Sequence, residues 1–109
     1  MKVYTVGFTG FEWTVVAAVA SNREGAIYFW NKMREKLLRE QKRYLKASEK
    51  RMAKECPAAV TREKMKVEAL SLESPQKFAA FVKKYGVRLE DTPFIAEFEL
   101  DEWDAKRFG

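Results

Sequence analysis

The chain has 109 residues, 47% hydrophobic and 14% aromatic, with a formal net charge of +5, which is enough apolar sequence to bury a core without covalent staples. Histidine is absent and cysteine occurs once, as Cys56. This removes the commonest general acid–base residue, any internal disulfide, and zinc or iron–sulfur sites of the usual kinds.

In chain order, Lys2–Phe8 alternates as a strand, Thr9-Gly10-Phe11-Glu12 reads as a turn, and Trp13–Ala20 reads as a second strand. The second run is apolar at nearly every position, the pattern expected of a central strand buried on both faces. Ser21 or Asn22 then caps a long helix spanning 22–55. Ala26, Ile27, Trp30, Met33, Leu37 and Leu38 mark its apolar face, and Tyr44, Leu45 and Met52 continue it. Gln41 and Ser48 occupy the centre of that face, where apolar residues would be expected. After Gly25 no glycine or proline interrupts the run before Pro57. A helix of roughly 33 residues is about 50 Å long, whereas a domain of this size has a radius of gyration of about 13 Å. Its second half must therefore project, fold back as a hairpin, or pack on another chain.

Ala58-Ala59-Val60 reads as a connector. Between 64 and 72, Met65, Val67 and Ala69 alternate as in a strand, while Met65, Ala69 and Leu72 fit a helix; the strand is favoured. Ser74-Pro75 starts a helix whose buried face is Phe78, Phe81, Val82 and Tyr85, with Gly86 as its C-terminal stop. Pro93–Leu100 alternates as a final strand. Phe94, Ala96, Phe98 and Leu100 are expected to point inward, and Ile95, Glu97, Glu99 and Asp101 outward. Asp101 is placed to cap a last helical turn over Glu102–Phe108. The expected fold is thus a single α+β domain over 1–109. Its small antiparallel sheet comprises the N-terminal hairpin, the C-terminal strand and a fourth strand over 64–72. One long basic helix and a second short helix pack on one face, with helix 22–55 projecting beyond the core.

The opening "MKVYTVGF", the passage "VVAAVASNREGAIYFW" and the closing "FIAEFELDEW" together resemble a loose group of small uncharacterised bacterial and phage proteins. The likeness covers roughly 45 residues at the two ends of the chain. It implies an α+β fold of hairpin, helix and further strand, and an accessory or inhibitory role of a phage or mobile element acting on a host factor. It assigns no site residues.

Charge is segregated along the chain. Between Lys32 and Glu55 there are ten Lys/Arg and four Glu, and between Glu90 and Asp104 seven Asp/Glu and no basic residue. A basic helix face comprising Arg34, Arg39, Lys42, Arg43, Lys46, Lys50, Arg51 and Lys54, with Tyr44 available for stacking, is a candidate binding surface for phosphate backbone or an acidic protein. The plainer reading is a solvated face supported by Glu35–Arg39, Lys46–Glu49 and Arg51–Glu55 pairs. The thinning stripe Leu37, Leu38, Gln41, Tyr44, Leu45, Ser48 and Met52 is a candidate self-association seam in which Gln41 and Ser48 set register. Glu97, Glu99, Asp101, Glu102 and Asp104 match no calcium loop. Cys56 has no evident general base. Phe8, Phe11 and Trp13 form an aromatic group at the hairpin turn, which core packing or a partner would use.

No catalytic, cofactor-binding or metal-ligating set can be assembled from these residues. The expectation is a non-enzymatic, cytoplasmic protein-binding module. It works as a homodimer with a protein partner of unknown identity and without membrane contact, and a sequence-nonspecific nucleic-acid binder is the alternative.

Overall fold

The computed structural model describes residues 2–99. Strand β1 (Lys2–Thr9) and strand β2 (Thr14–Ala20) form the expected hairpin, and helix α1 (Arg23–Met52) follows directly. Helix α2 (Pro57–Leu70), helix α3 (Pro75–Tyr85) and strand β3 (Thr92–Glu99) complete the order. The sheet has three antiparallel strands in the order β2-β1-β3. The expected positions of Leu100, Asp101 and the turn over 102–108 lie outside the described residues.

Local chemistry accounts for most element boundaries. The Asn22 side chain accepts a hydrogen bond from the Gly25 N–H at 2.7 Å, so α1 starts on a conventional cap. The Ser74 hydroxyl accepts from the Lys77 N–H with Pro75 in the first turn, and α3 ends on Gly86 in the left-handed region at φ 59°. Pro57 likewise opens α2, where a missing N–H costs nothing.

That proline starts a helix where a connector and then a fourth strand were expected over 58–72. The alternating Met65, Val67 and Ala69 do not form a strand. They belong to α2, whose Val60, Ala69 and Leu70 are buried. The deciding factor lies in another element: α2 runs back along α1, and Gln41 Nε2 donates to Glu63 Oε2 across the pair. The polar Gln41 thus finds a half-buried partner rather than interrupting an apolar seam. Of the three ways to accommodate the long helix, the chain folds back as a hairpin. The hairpin extends beyond the sheet, giving extents of 60 × 23 × 20 Å and a radius of gyration of 16.7 Å.

The core sits between one face of the sheet and the first half of α1, closed by α3 and the end of α2. It is built from Val6, Ala20, Ala26, Trp30, Leu37, Ala69, Leu70 and Phe78. The Trp30 ring meets Phe78 edge-on at 5.6 Å, joining α1 to α3. Arg34 also lies in this interior, only 3% exposed, and does not belong to the basic face on which its spacing had placed it. Its Nη1 donates to the Leu70 carbonyl at 2.7 Å and its Nε to Asn31 Oδ1 at 2.9 Å.

Two strand expectations are reversed. The apolar β2 is an edge strand, exposed at Val15, Val16 and Val19; the central strand is β1. A run of small and β-branched residues reads alike in both places, because only neighbours decide burial. In β3 the alternation holds but its sense is inverted. Ile95 packs against the core, whereas Phe94 and Phe98 lie on the opposite face.

A register shift between Val6 and Gly7 leaves Ala17 of β2 without an opposite residue, a bulge. Gly7 makes it possible: a Cβ there would lie 1.8 Å from the Val15 carbonyl oxygen. Gly7→Ala is therefore expected to cost about 2–3 kcal/mol through forced displacement of β2, read as a lower urea midpoint, with the side-chain-free neighbourhood of Gly86→Ala as a contrast of different cause.

Candidate functional site

Strand register shows which side chains share each face of the sheet. The pairs Thr9↔Thr92, Gly7↔Phe94, Thr5↔Ala96 and Val3↔Phe98 place eight β1 and β3 residues on the face away from the helices. The pairs Thr5↔Val19, Gly7↔Val16 and Thr9↔Thr14 add the β2 residues, with the bulge carrying Val16 and Val19 onto the same side. None of these positions is charged, in a chain that is 34% charged. Lys2, Glu97 and Glu99, the charged residues of the described strands, all fall on the helix-covered side, where Lys2 Nζ pairs with Glu97 Oε1 at 3.2 Å. That carboxylate holds the Lys2 ammonium above its ordinary pKa, first by the hydrogen bond and then by its charge.

No described element covers this outer face. Val16 is 53% exposed, Val19 63% and Phe98 50%. A sheet with one apolar face against its own helices ordinarily presents polar alternation on the other. Here the second face is apolar and threonine-rich as well. The sequence signal was present in the alternate positions Val3, Thr5, Gly7 and Thr9, but it acquires meaning only once β2 and β3 are placed beside them.

The sequence-derived binding residues Arg39, Lys42, Arg43, Lys46, Lys50, Arg51 and Lys54 are all exposed, and so is Tyr44. Arg39, Lys42, Lys46 and Lys50 follow one another at three- and four-residue steps, so they form a column along the side of α1 away from α2, and Lys54 follows in the turn beyond Met52. The supporting pairs Glu35–Arg39, Lys46–Glu49 and Arg51–Glu55 do not close to ion-pair distance among the described residues. In the candidate seam, Leu37 is buried, Leu38, Gln41, Leu45 and Ser48 are half-buried, and Tyr44 and Met52 are exposed. The hairpin turn also separates its aromatics. Phe8 joins the core periphery and meets Trp13 edge-on at 5.4 Å, while Phe11 is 97% exposed at the tip.

A small acidic depression lies where α1 meets the approach to β3, lined in part by Glu40, Glu90 and Asp91. Burial raises the Asp91 carboxyl above its ordinary pKa, with Glu40 and Glu90 adding repulsion. A carboxyl raised on folding costs stability when ionised. Asp91→Asn is thus expected to raise the melting temperature at neutral pH, with the advantage vanishing as pH falls through the raised folded value towards the unfolded one. Among the described residues no group of three His, Cys, Asp or Glu is arranged to hold a metal ion, and no helix is long and apolar enough to cross a membrane.

Comparison of the chain with protein-family models, curated proteins and solved structures finds no match in any of the three.

Proposed function

We propose that the protein is a non-enzymatic binding module that works by protein–protein contact through the outer face of its sheet. The observation that carries this reading is the uncharged face with Val16, Val19 and Phe98 at least half exposed. Exposed apolar side chains gathered on one uncharged face favour a contact site. The resemblance of the chain ends to small phage and bacterial proteins adds an accessory role against a host factor as the setting. Capture from a cell extract tests the reading. A protein retained by the wild type should be lost with Val19→Lys and with Phe98→Lys, and kept with Lys46→Glu. An identical captured set for all four proteins would reject it.

The basic column on α1 favours a second reading, sequence-nonspecific binding of nucleic acid. From Arg39 to Lys50 it spans about 16 Å at 1.5 Å per residue, and its cations carry no local carboxylate partners among the described residues. Binding of this type weakens steeply with salt. A gel-shift titration of duplex DNA should then show Lys46→Glu/Lys50→Glu binding at least tenfold more weakly. Absence of a shift at low ionic strength rejects this reading.

A further inference from the structure

We infer that the occupant of the outer sheet face is a second copy of this chain, related by a twofold axis along β1. The inference rests on the protein-contact reading above and names its partner. Two observations select a copy over another protein, and a third bounds the strength of the contact.

The first is charge. A surface with no ionised group across three strands gains nothing from a partner's charges, and burying a partner's charges against it would leave them unpaired. Its counterpart must be an equally uncharged face, and a second copy supplies one.

The second is relief. The central strand carries small residues (Val3, Thr5, Gly7 and Thr9) between a β3 row bearing Phe94 and Phe98 and a β2 row bearing Val16 and Val19. A twofold axis along β1 lays β3 of one copy over β2 of the other. Each phenylalanine row then meets a valine row, and the two low central strands face each other. An isologous contact of this kind closes on itself, and two sheets packed in this way lie about 10 Å apart with helices outside.

The third is size. Three strands about 4.8 Å apart and eight residues long at about 3.4 Å give a footprint of roughly 390 Å² per copy. Two such footprints make about 800 Å², below the 1,200–2,000 Å² range of stable specific complexes. The expected dimer is therefore a weak, reversible one. The net charge of +5 per copy does not prevent it. The basic columns project from the helix layers, farther apart than the Debye length of about 8 Å at physiological salt.

The alternative contact, edge-to-edge pairing of β2, is blunted by the bulge at Ala17. The distal seam on α1 is largely occupied by α2, leaving Tyr44 and Met52 at its exposed margin.

Sedimentation equilibrium of the full chain from about 1 to 300 µM tests the inference, with melting temperatures confirming that each variant is folded. The wild-type mass should rise from 12.7 kDa towards twice that value. Val19→Lys and Phe98→Lys, on opposite edges of the face, should each weaken association at least tenfold, while Met52→Lys leaves it unchanged. Both face positions are at least half exposed, so a lysine there leaves the fold intact. A wild type monomeric throughout, or a dimer indifferent to both face variants and broken by Met52→Lys, overturns the inference. If a monomeric wild type still loses a captured protein on Val19→Lys, the contact reading survives and only the second copy is rejected.

Discussion

Replacing Arg34 by leucine is expected to destabilise the protein by about 2–4 kcal/mol, although the substitution removes a buried charge and adds apolar bulk. Arg34 is 3% exposed and has no carboxylate at ion-pair distance among the described residues. Its charge is instead met by the Leu70 carbonyl at 2.7 Å, by Asn31, and by the Trp30 ring at 6.0 Å. Leu70 is the last residue of α2, so its carbonyl is one of the four a helix leaves without an internal donor, at the negative end of the helix dipole. Arg34 thus caps α2 from inside the protein. Leucine would leave that carbonyl buried and unsatisfied, about 1–3 kcal/mol by itself, and would forfeit the packing of the guanidinium stem. Lysine keeps one donor and loses the fork, so Arg34→Lys should fall between wild type and leucine. Urea unfolding at pH 7 measures this as a shift in midpoint at constant slope. A change below about 0.5 kcal/mol for leucine would show that the carbonyl finds another donor.

Trp30→Ala should cost about 3–5 kcal/mol, the range for removing a buried aromatic ring. Trp30 is among the largest fully buried side chains, and its ring is where α1 meets α3 through Phe78. Trp30→Phe should cost considerably less, because it keeps an aromatic edge against Phe78. Because Arg34 lies over the same ring, the double substitution Trp30→Ala/Arg34→Leu should cost less than the sum of the singles by roughly 0.5–1 kcal/mol. Strict additivity would mean that the guanidinium and the indole act independently.

What the sequence made legible follows from how locally each feature is determined. Helix α3 could be read because its cap, first-turn proline and C-terminal glycine act within a few residues of themselves. The hairpin and the start of α1 were equally local. Helix α2 was not legible in this way: Met65, Val67 and Ala69 satisfy both periods, and the choice is made by the distal face of α1, which lies more than 20 residues away. The exposure of β2 and the inverted sense of β3 belong to the same class, since alternation identifies two faces but not which one the helices cover. Bulk was misleading in β3, where Ile95 is the core residue and the two phenylalanines are not. Arg34 looked like one more surface cation until α2 ended beside it. The basic column was read directly from spacing, whereas the uncharged outer face requires three strands in register.

The bulge at Ala17 also bears on what this protein does at high concentration. Thr14–Ala20 is a seven-residue segment of β-branched and small residues with no charge and no proline, the composition that forms cross-β fibrils when it is straight and unpaired. An extra residue at its middle prevents an incoming strand from matching the whole edge, and Gly7 lets the backbone accept that irregularity. A twofold contact ends with two molecules, whereas a straight edge can recruit a third and a fourth. The bulge in β2 therefore works against open-ended growth along this edge.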